Sequence, residues 1–310
     1  MRIRRHGRAS RGEWVGGIGW MRRCMLYVPA SDERKLAKLE ALHGAAFILD
    51  LEDAVARSEK AGARRRAAEF VSARGSALEL YVRVNAADTE YFRADLETVT
   101  RQGLAGVVLP KVQGPGDVRA ADDLLSSMEP AAGLAPGSLP LMAIIETARG
   151  VRRVDEIASA SPRLRILSFG AGDLSRDLGI GWPLPGGRAS PSLTAARAAL
   201  AIASRAAGLL PPHDGVYPIV HDLEGLRREA LAARDMGYAG KHVIHPSHIP
   251  VVGEAFAPTE TEVAWARKVA EAFGRREAVG DAAIVVDGQF VDYPVAERAR
   301  QILAAAEALP

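Results

Sequence analysis

The stretches LMAIIET (residues 141–147) and RILSFGAGD (residues 165–173) contain the pattern on which the fold depends. Each is largely apolar and reaches a carboxylate at its end, and a charged segment long enough for a helix separates them. Strands buried on both faces of a parallel sheet are continuously apolar, and a helix usually connects them. The two stretches therefore predict one strand–helix–strand unit of a parallel sheet.

The same pattern occurs eight times from Cys24 onward. The runs are CMLYVP (24–29), AAFILDLED (45–53), ELYVRVN (79–85), AGVVLPK (105–111), LMAIIET (141–147), RILSFGAGD (165–173), GVYPIV (215–220) and KHVIHP (241–246). Segments between them, such as DLEGLRREALAARDMG (222–237), have helical apolar spacing and end at glycine. Eight such units predict an α/β fold, a TIM (β/α)₈ barrel over residues 21–250.

A doubly wound open sheet is the alternative fold. It would require a glycine-rich phosphate-binding loop after an early strand. The segment VPASDERK, residues 28–35, follows the first run and contains no glycine. The barrel is therefore favoured.

The two ends of the chain lack the barrel pattern. Residues 1–20 are rich in arginine and glycine without a periodic apolar face, which predicts a disordered basic tail rather than a secretory signal. Residues 251–310 contain a helical pattern at 258–273, a two-residue turn at Asp287-Gly288 between short apolar strands, and a final helical pattern at 294–309. We predict a C-terminal extension, helix–hairpin–helix, that is an appendage to the barrel rather than a ninth barrel unit.

Composition excludes some classes of protein. The formal net charge of +2 provides no electrostatic reason to expect a nucleic-acid or membrane partner. The single cysteine, Cys24, excludes an internal disulfide and indicates a reducing compartment, so a cytoplasmic location is predicted. No apolar run approaches the ~20 residues that span a bilayer.

Polar residues follow seven of the eight apolar runs. In a barrel, the carboxyl ends of the strands meet at one mouth, where enzymes with this fold carry out their chemistry. A single polar end is explained by an ion pair, but packing does not explain the repetition. The pattern predicts an enzyme.

Two carboxylates stand out among these ends. Glu146 and Asp173 follow neighbouring runs, so their side chains are expected to converge, and hard oxygen ligands with open positions suit Mg²⁺. The alternative is that each carboxylate caps a helix or pairs with an arginine such as Arg149 or Arg176. Spacing alone leaves both interpretations open.

Arg83 is the candidate for binding an anionic substrate. Its guanidinium can hold a carboxylate through two hydrogen bonds and can stabilise an enolate oxygen. The alternative is a structural ion pair with Asp50 or Glu52, which form an acidic cluster with Asp53. Lys111 is compatible with a Schiff base, but an ion pair at the strand end is favoured.

The histidines do not form a zinc motif. His242, His245 and His248 surround the eighth run, and His213 and His221 flank the seventh. They do not match HExxH, and no third ligand has metal-binding spacing. A zinc site is not predicted.

Nine motifs, in order, resemble the HpcH/HpaI aldolase and citrate lyase family, particularly its citrate lyase beta-subunit-like and malyl-CoA lyase-like branch. They are RCMLYVPAS (23–31), ILDLEDAV (48–55), VRVN (82–85), VLPK (108–111), IIETARG (144–150), FGAGDLSRDLG (169–179), GKHVIHPSHI (240–249), FAPTETE (256–262) and VVDGQFVDYP (285–294). Each is weak by itself, but the ordered set is specific. The resemblance covers residues 23–310.

The resemblance implies a barrel enzyme that forms or cleaves a bond next to a carbonyl through an enolate, as a homo-oligomer (a trimer or hexamer). Glu146 and Asp173 match the Mg²⁺ ligands, and Arg83 matches the arginine that binds the keto acid. Asp292 matches an acid/base residue supplied by the C-terminal segment of a neighbouring subunit, so the resemblance implies that the C-terminal extension acts as a lid. The alternative for Asp292 is an ordinary charge at the start of a helix.

Further positions follow from the same resemblance. Glu52 and Asp53 match residues that surround the metal ligands, and Arg23 and Lys60 match the edge that binds CoA. Two positions depart from the family pattern. Gly172 stands where an acidic residue is usual, and His248 stands where glutamine is usual, so the substrate is left open.

These features predict a Mg²⁺-dependent carbon–carbon lyase acting on a carboxylated 3-hydroxyacyl-CoA such as malyl-, citramalyl- or citryl-CoA. The products are a 2-keto acid and an acyl-CoA. One alternative is a metal-dependent aldolase for free hydroxy-keto acids; another is the beta subunit of a citrate lyase complex. A non-catalytic binding protein would not need carboxylates, arginine and lid together.

Overall fold

The computed structural model describes residues 23–184, 188, 190–278 and 280–307. The chain forms two compact units, Met1–Ala255 and Phe256–Pro310. The basic tail predicted for residues 1–20 lies outside the described residues.

The first unit contains a closed barrel of eight parallel strands in chain order, in which β8 pairs with β1. The predicted TIM barrel is therefore confirmed. The strands are β1 Cys24–Pro29, β2 Ala46–Asp50, β3 Leu80–Arg83, β4 Leu104–Leu109, β5 Leu141–Ile145, β6 Leu164–Phe169, β7 His213–Asp214 and β8 Gly240–Val243.

Helices connect the strands, and four of them begin at a residue whose side chain caps the helix. The side chains of Asp32, Thr147, Ser190 and Asp222 accept hydrogen bonds from backbone N–H groups of the first turn. The helices are α1 Glu33–Leu36, α2 Lys60–Arg74, α3 Phe92–Val99, α4 Pro115–Met128, α5 Ala148–Arg152, α6 Val154–Ala158, α7 Ala171–Asp177, α8 Pro191–Ala206, α9 Leu223–Asp235 and α10 His248–Phe256, with 3₁₀ turns at Leu39–Ala41, Arg57–Glu59 and Pro130–Ala132. The boundary predicted at residue 250 falls inside α10.

The barrel interior is apolar below and polar above. A buried cluster fills its lower part with Met25, Ala46, Ile48, Tyr81, Val108, Met142, Ile144 and Ile166. Because strand side chains alternate between faces, the next inward positions along the strands are two residues further on. Those positions include Tyr27, Asp50, Arg83, Glu146 and Ser168. The strand ends thus carry polar groups above an apolar floor.

The position predicted for the seventh strand is wrong. The apolar run 215–220 lies outside it, and β7 consists of the two residues His213 and Asp214. A Cβ at Gly215 would lie 2.3 Å from the carbonyl oxygen of Phe169, so the chain passes too close to β6 for a side chain there. The strand itself is polar, because ion pairs hold Asp214 on its outer side.

Lys241 is one of these partners, and its removal should destabilise the barrel. Its fully buried Nζ donates hydrogen bonds to Asp214 Oδ2 and Glu229 Oε1, each at 2.6 Å. In Lys241→Met, the carboxylates of buried Asp214 and partly buried Glu229 keep Arg197 as their cationic partner in this network. We therefore expect the free energy of unfolding to fall by about 3 kcal/mol. Chemical denaturation followed by circular dichroism measures it.

Lys268→Met is the matched control, because it breaks an exposed pair with Asp287 in the second unit. Exposed pairs contribute at most about 1 kcal/mol. Equal denaturation midpoints for the two variants would mean that the buried network contributes little.

The second unit contains a helix, a hairpin and a helix: α11 Glu260–Glu277, β9 Ala283–Val286, β10 Gln289–Asp292 and α12 Tyr293–Glu307. Thr259 and Glu262 form a capping box at the start of α11. The turn lies at Asp287-Gly288 as predicted, with φ values of 50° and 78° that fit a two-residue hairpin. Among the described residues, no helix combines the length and apolar character required to cross a bilayer.

The hairpin of this unit has apolar side chains on both faces. One face packs Val286 and Val291 against Phe273 and the helices. On the other face, Val285 and Phe290 are cross-strand partners and are 69% and 62% exposed. Large apolar side chains exposed together commonly mark a contact surface.

Candidate active site

Glu146 lies directly after β5 and is almost wholly buried. Its Oε1 accepts a hydrogen bond of 2.7 Å from the backbone N–H of Lys111, and a Cβ at Gly170 would lie 2.4 Å from its Oε2. Only glycine at position 170 leaves room for this carboxylate. Burial raises the pKa of Glu146 to about 8; Arg83 opposes the shift, and the negative charge of Asp173 adds to it.

Asp173 lies in the first turn of α7. Its Oδ1 is 2.5 Å from Nη2 of Arg176, an arginine whose side chain is 75% exposed. The ion pair left open by the sequence is therefore present. It is an i,i+3 surface contact, which contributes little and is readily exchanged for another cation. The negative charge of Asp173 is one of the causes that raise the pKa of Glu146, so the two carboxylates act on each other electrostatically.

Arg83, the last residue of β3, is held by two carboxylates and a ring. Its Nε and Nη2 donate hydrogen bonds to Asp50 at 2.7 and 2.6 Å, and its Nη1 lies 3.0 Å from Glu52 Oε2. Its Cζ lies 4.6 Å from the centroid of the Tyr27 ring. Burial opposes the charge of Arg83, but Asp50 and Glu52 raise its pKa well above its usual value.

The ion pair with Asp50 and Glu52 was one of the two interpretations of Arg83. Its presence does not exclude the other, since the positive charge of Arg83 also lowers the pKa of Glu146. A role in substrate binding stays a prediction.

Lys111 closes the other side of the cluster. Its Nζ contacts Glu52 Oε1 and lies 3.0 Å from Asp53 Oδ2. These contacts raise its pKa, which holds the amine protonated and opposes Schiff-base chemistry. Lys111 has a φ of 51°, a conformation uncommon for a residue with a side chain, and this conformation accompanies a backbone N–H directed at Glu146.

These residues fit a hard divalent cation. Glu146 and Asp173 could supply carboxylate oxygens, and buried Glu52 Oε2, which lies 3.0 Å from Arg83 Nη1 without hydrogen-bond geometry, could also accept a hydrogen bond from a water on the cation. The mutual repulsion of the three carboxylates is relieved by positive charge. In the described part of the chain, no three His, Cys, Asp or Glu side chains form a metal group alone, so water or substrate would complete the ligand set.

Lys60 lies behind this cluster and is nearly buried. Its Nζ donates hydrogen bonds to the carbonyl oxygens of Leu51 and Glu52 and to Asn85 Oδ1, at 2.6–2.7 Å. The three hydrogens of the ammonium are thus in use, and a phosphate could bind it only if one of these bonds broke. The structure supports a role in holding the loop after β2, and CoA binding by Lys60 stays a prediction.

Arg23 is not part of the cluster, and its predicted role in CoA binding stays a prediction. It precedes β1, and its carbonyl oxygen accepts a hydrogen bond of 2.8 Å from Lys241 N at the beginning of β8. It therefore lies at the amino-terminal end of the barrel, about 20 Å along the strand from Pro29. The direction of the strand places it at the opposite face.

Asp292 belongs to the second unit, where it ends β10. Its Oδ1 accepts a hydrogen bond of 3.4 Å from Val295 N in the first turn of α12. This is the helix-start interaction that the sequence left open as the alternative. The predicted acid/base role of Asp292 stays a prediction.

The two departures from the family pattern have visible neighbours. A Cβ at Gly172 would lie 3.2 Å from Cζ3 of Trp182, so an indole stands beside this position. His248 is buried, and its Nε2 donates to the carbonyl oxygen of Val220 at 2.9 Å. Burial lowers the pKa of His248, which is therefore a neutral structural imidazole.

Sequence reasoning missed two contributions to the site. The backbone N–H of Lys111 carries no sequence signal, because any residue but proline has one. Tyr27 did have a signal, since its alternation with Met25 along β1 directs both side chains inward. Below Tyr27 lie His242 and His213, both fully buried.

The chain was compared with known proteins. The profile of the HpcH/HpaI aldolase/citrate lyase family matches residues 23–246. A (3S)-malyl-CoA thioesterase of Cereibacter sphaeroides is 40% identical over 93% of this chain and 95% of its own. The citrate lyase subunit beta of Escherichia coli is 37% identical, and the match covers 92% of this chain and 93% of that protein. An L-malyl-CoA/beta-methylmalyl-CoA lyase of Cereibacter sphaeroides is 34% identical, and the match covers 92% of this chain and 94% of that protein.

Among solved structures, CitE from Mycobacterium tuberculosis in complex with magnesium, acetoacetate and coenzyme A superposes with a TM-score of 0.75. It is 32% identical, and the match covers 92% of this chain and 98% of that one. The family profile, the relatives that match over nearly their full length and the barrel fold all indicate the same family. This chain is a member of the HpcH/HpaI aldolase/citrate lyase family.

Proposed function

We propose that this protein is a magnesium-dependent carbon–carbon lyase that cleaves a carboxylated 3-hydroxyacyl-CoA, such as malyl-, citramalyl- or citryl-CoA, into a 2-keto acid and an acyl-CoA. The observation that carries the proposal is the group of carboxylates formed by buried Glu146 and Glu52 and partly exposed Asp173, with the guanidinium of Arg83 held beside Glu52. Carboxylates that raise the pKa of Glu146, next to a fixed guanidinium, suit a site that binds both a metal and an acid.

Glu146 and Asp173 would hold Mg²⁺, and the magnesium in the related CitE complex supports this choice. When bound there, Mg²⁺ supplies Lewis-acid polarisation of the substrate oxygen. Glu52 would orient the surrounding water through Oε2, whose contact with Arg83 Nη1 lacks hydrogen-bond geometry. Lys111 balances the outer side of the cluster and fixes Glu146 through its backbone N–H.

Arg83 binds the keto-acid portion. Asp50 takes the Nε and Nη2 side of its guanidinium, which leaves the Nη1 side for Glu52 and an incoming carboxylate or carbonyl oxygen. A guanidinium fixed in this way is positioned before the substrate arrives, so it stabilises the charge that develops on the carbonyl oxygen without reorganising.

Asp292 exchanges a proton with the acyl-CoA enolate. In cleavage, a general base accepts the hydroxyl proton, the bond between C2 and C3 of the acyl group breaks with its electron pair passing to the enolate, and the protonated carboxyl of Asp292 gives its proton to the α-carbon of that enolate. We propose that the second unit supplies Asp292 to a neighbouring subunit as a lid. The exposed pair Val285 and Phe290, on the hairpin that carries Asp292, supports docking on another surface.

A second candidate function is hydrolysis of the thioester, since a relative at 40% identity is a malyl-CoA thioesterase. The two reactions differ in their products from malyl-CoA: a lyase releases glyoxylate and acetyl-CoA without free thiol, whereas a thioesterase releases malate and CoA thiol. Incubation with Mg²⁺, followed by chromatography of the CoA species and a thiol reagent, separates them.

We expect a 2-keto acid and acyl-CoA in equal amounts, with no early rise in free thiol. Malate and thiol as the first products would replace the lyase proposal with the hydrolase. The same assay with citramalyl- and citryl-CoA identifies the acid. Cleavage of free hydroxy-keto acids alone would favour the aldolase alternative, and activity only with a carrier-protein thioester would favour a citrate lyase beta subunit.

Subunit mixing tests the source of Asp292. Inactive Asp292→Asn subunits and inactive Glu146→Ala subunits are combined under conditions of exchange. If the lid acts on a neighbour, some sites pair an intact barrel with an intact lid, so activity should return. Native mass spectrometry verifies mixed oligomers. Mixed oligomers without recovered turnover would show that Asp292 serves its own barrel or none.

A further inference from the structure

Tyr27 lies beneath Arg83 inside the barrel. Its ring packs on the apolar floor formed by Met25 and its neighbours, and the Cζ of Arg83 lies 4.6 Å from the ring centroid. A guanidinium this close to an aromatic face is attracted by the electron-rich face of the ring. The contact joins the apolar interior to the polar cluster.

We propose that Tyr27 is a positioning residue for Arg83, whose aromatic ring sets the orientation of the guanidinium that receives the 2-keto acid. This inference rests on the proposed function, in which Arg83 binds that acid. Tyr27 itself takes no part in proton transfer.

The contacts of Arg83 with carboxylates leave the tilt of its guanidinium plane weakly restrained, and the ring of Tyr27 restrains that tilt. The two hydrogen bonds to Asp50 hold the Nε and Nη2 edge of the guanidinium, and Glu52 Oε2 lies 3.0 Å from Nη1; contacts at the edges of a planar group restrain its tilt less than a ring packed on its face does. Packing of the ring against Arg83 opposes such a tilt. A small misorientation is costly, because the donor must be in place where charge develops on the substrate oxygen.

Tyr27 is itself held from below. The imidazole of His242 meets its ring edge to face, with centroids 5.4 Å apart at 78°, and His213 meets His242 at 5.7 Å and 81°. Ser168 Oγ lies 3.4 Å from His242 Nδ1. Tyr27, His242 and His213 form what we call the aromatic column under Arg83.

The column adds no charge to the site. Burial lowers the pKa of His213 to about 4 and that of His242 well below its usual value, and burial raises the pKa of the Tyr27 hydroxyl. Two neutral imidazoles and a neutral phenol do not repel Arg83.

Three variants test the inference in the full-length enzyme with Mg²⁺. Tyr27→Phe keeps the ring, Tyr27→Leu removes it, and Phe47→Leu removes a buried ring from the neighbouring strand β2 at a position that alternates with the inward Ile48. We expect Tyr27→Leu to lower kcat/KM about tenfold to thirtyfold, the effect of a desolvated cation–π contact. Tyr27→Phe and Phe47→Leu should stay within about threefold of wild type.

Binding of pyruvate or glyoxylate by calorimetry provides a readout independent of turnover. Tyr27→Leu should weaken it, whereas Tyr27→Phe and Phe47→Leu should not. If Tyr27→Leu does not fold, Tyr27→Met, an unbranched apolar replacement, takes its place. Thermal midpoints of all variants separate loss of stability from loss of binding.

Unchanged kinetics and keto-acid affinity in Tyr27→Leu would overturn the inference. So would an equal loss in Tyr27→Phe, because the hydroxyl would then be the active part. Failure of the proposed function looks different: wild type would cleave none of the thioesters, while the calorimetric comparison would still report whether the ring positions Arg83.

Discussion

Glu146→Gln, and still more Glu146→Ala combined with Asp173→Ala, is expected to abolish metal-dependent cleavage. Lewis-acid stabilisation amounts to several kcal/mol, so kcat/KM should fall by about a thousandfold or more. Glutamine keeps the shape that fits opposite Gly170 and the hydrogen bond from Lys111 N, but it lacks the charge that holds a cation. Initial rates with saturating Mg²⁺ measure the loss.

The fold should survive these changes. The carboxylate of Glu146 is buried next to Asp173 and Glu52, so its removal relieves repulsion, and the metal-free variant should be at least as stable as wild type. Glu156→Gln, which removes an exposed carboxylate on α6, is the matched control and should retain activity. Calorimetry with Mg²⁺ should show binding by wild type and Glu156→Gln only. Full turnover after chelation would end the metal proposal.

Arg83→Lys should lower kcat/KM by about a hundredfold or more, although it preserves the charge. One ammonium cannot donate two parallel hydrogen bonds to Asp50, approach Glu52 and present a flat face to Tyr27. The planar fork is needed for each of these contacts. The loss should appear in both kcat and KM, because ground-state binding and charge stabilisation use the same group.

Arg64→Lys provides the comparison for this variant. Arg64 pairs with Asp95 through a single Nε contact of 2.7 Å and lies outside the carboxylate cluster. We expect it to retain kinetics close to wild type. If Arg83→Lys also retains normal kcat and KM, Arg83 is only a structural ion-pair partner of Asp50.

The barrel and its chemically active end were predictable from the sequence. Strands of a parallel sheet are read from continuous apolar runs, and seven of the eight runs contain or overlap the strands that form the barrel. The carboxyl ends of those strands share one mouth, so Glu146, Glu52 and Arg83 were predicted together without coordinates. This succeeded because the pattern is local and repeats.

Other features were decided only by the tertiary structure. β7 is a pair of polar residues, stable there because Arg197 and Lys241 reach Asp214 from α8 and β8. Lys60 is occupied by three acceptors from the loop after β2 and from Asn85. Both arrangements depend on partners that are distant in sequence, and the residues next to a charged side chain in the sequence do not indicate whether it is buried.

The sequence by itself determined the strand–helix order, the side of the barrel on which carboxylates gather and the hairpin turn at Asp287-Gly288. The tertiary structure alone decided which of two contacts a charged side chain makes. Arg83 is bound by Asp50 and packed on Tyr27, and Glu146 receives the backbone N–H of a strained Lys111. Periodicity reports which face a residue occupies, whereas its partner depends on the distances and directions established when the barrel closes.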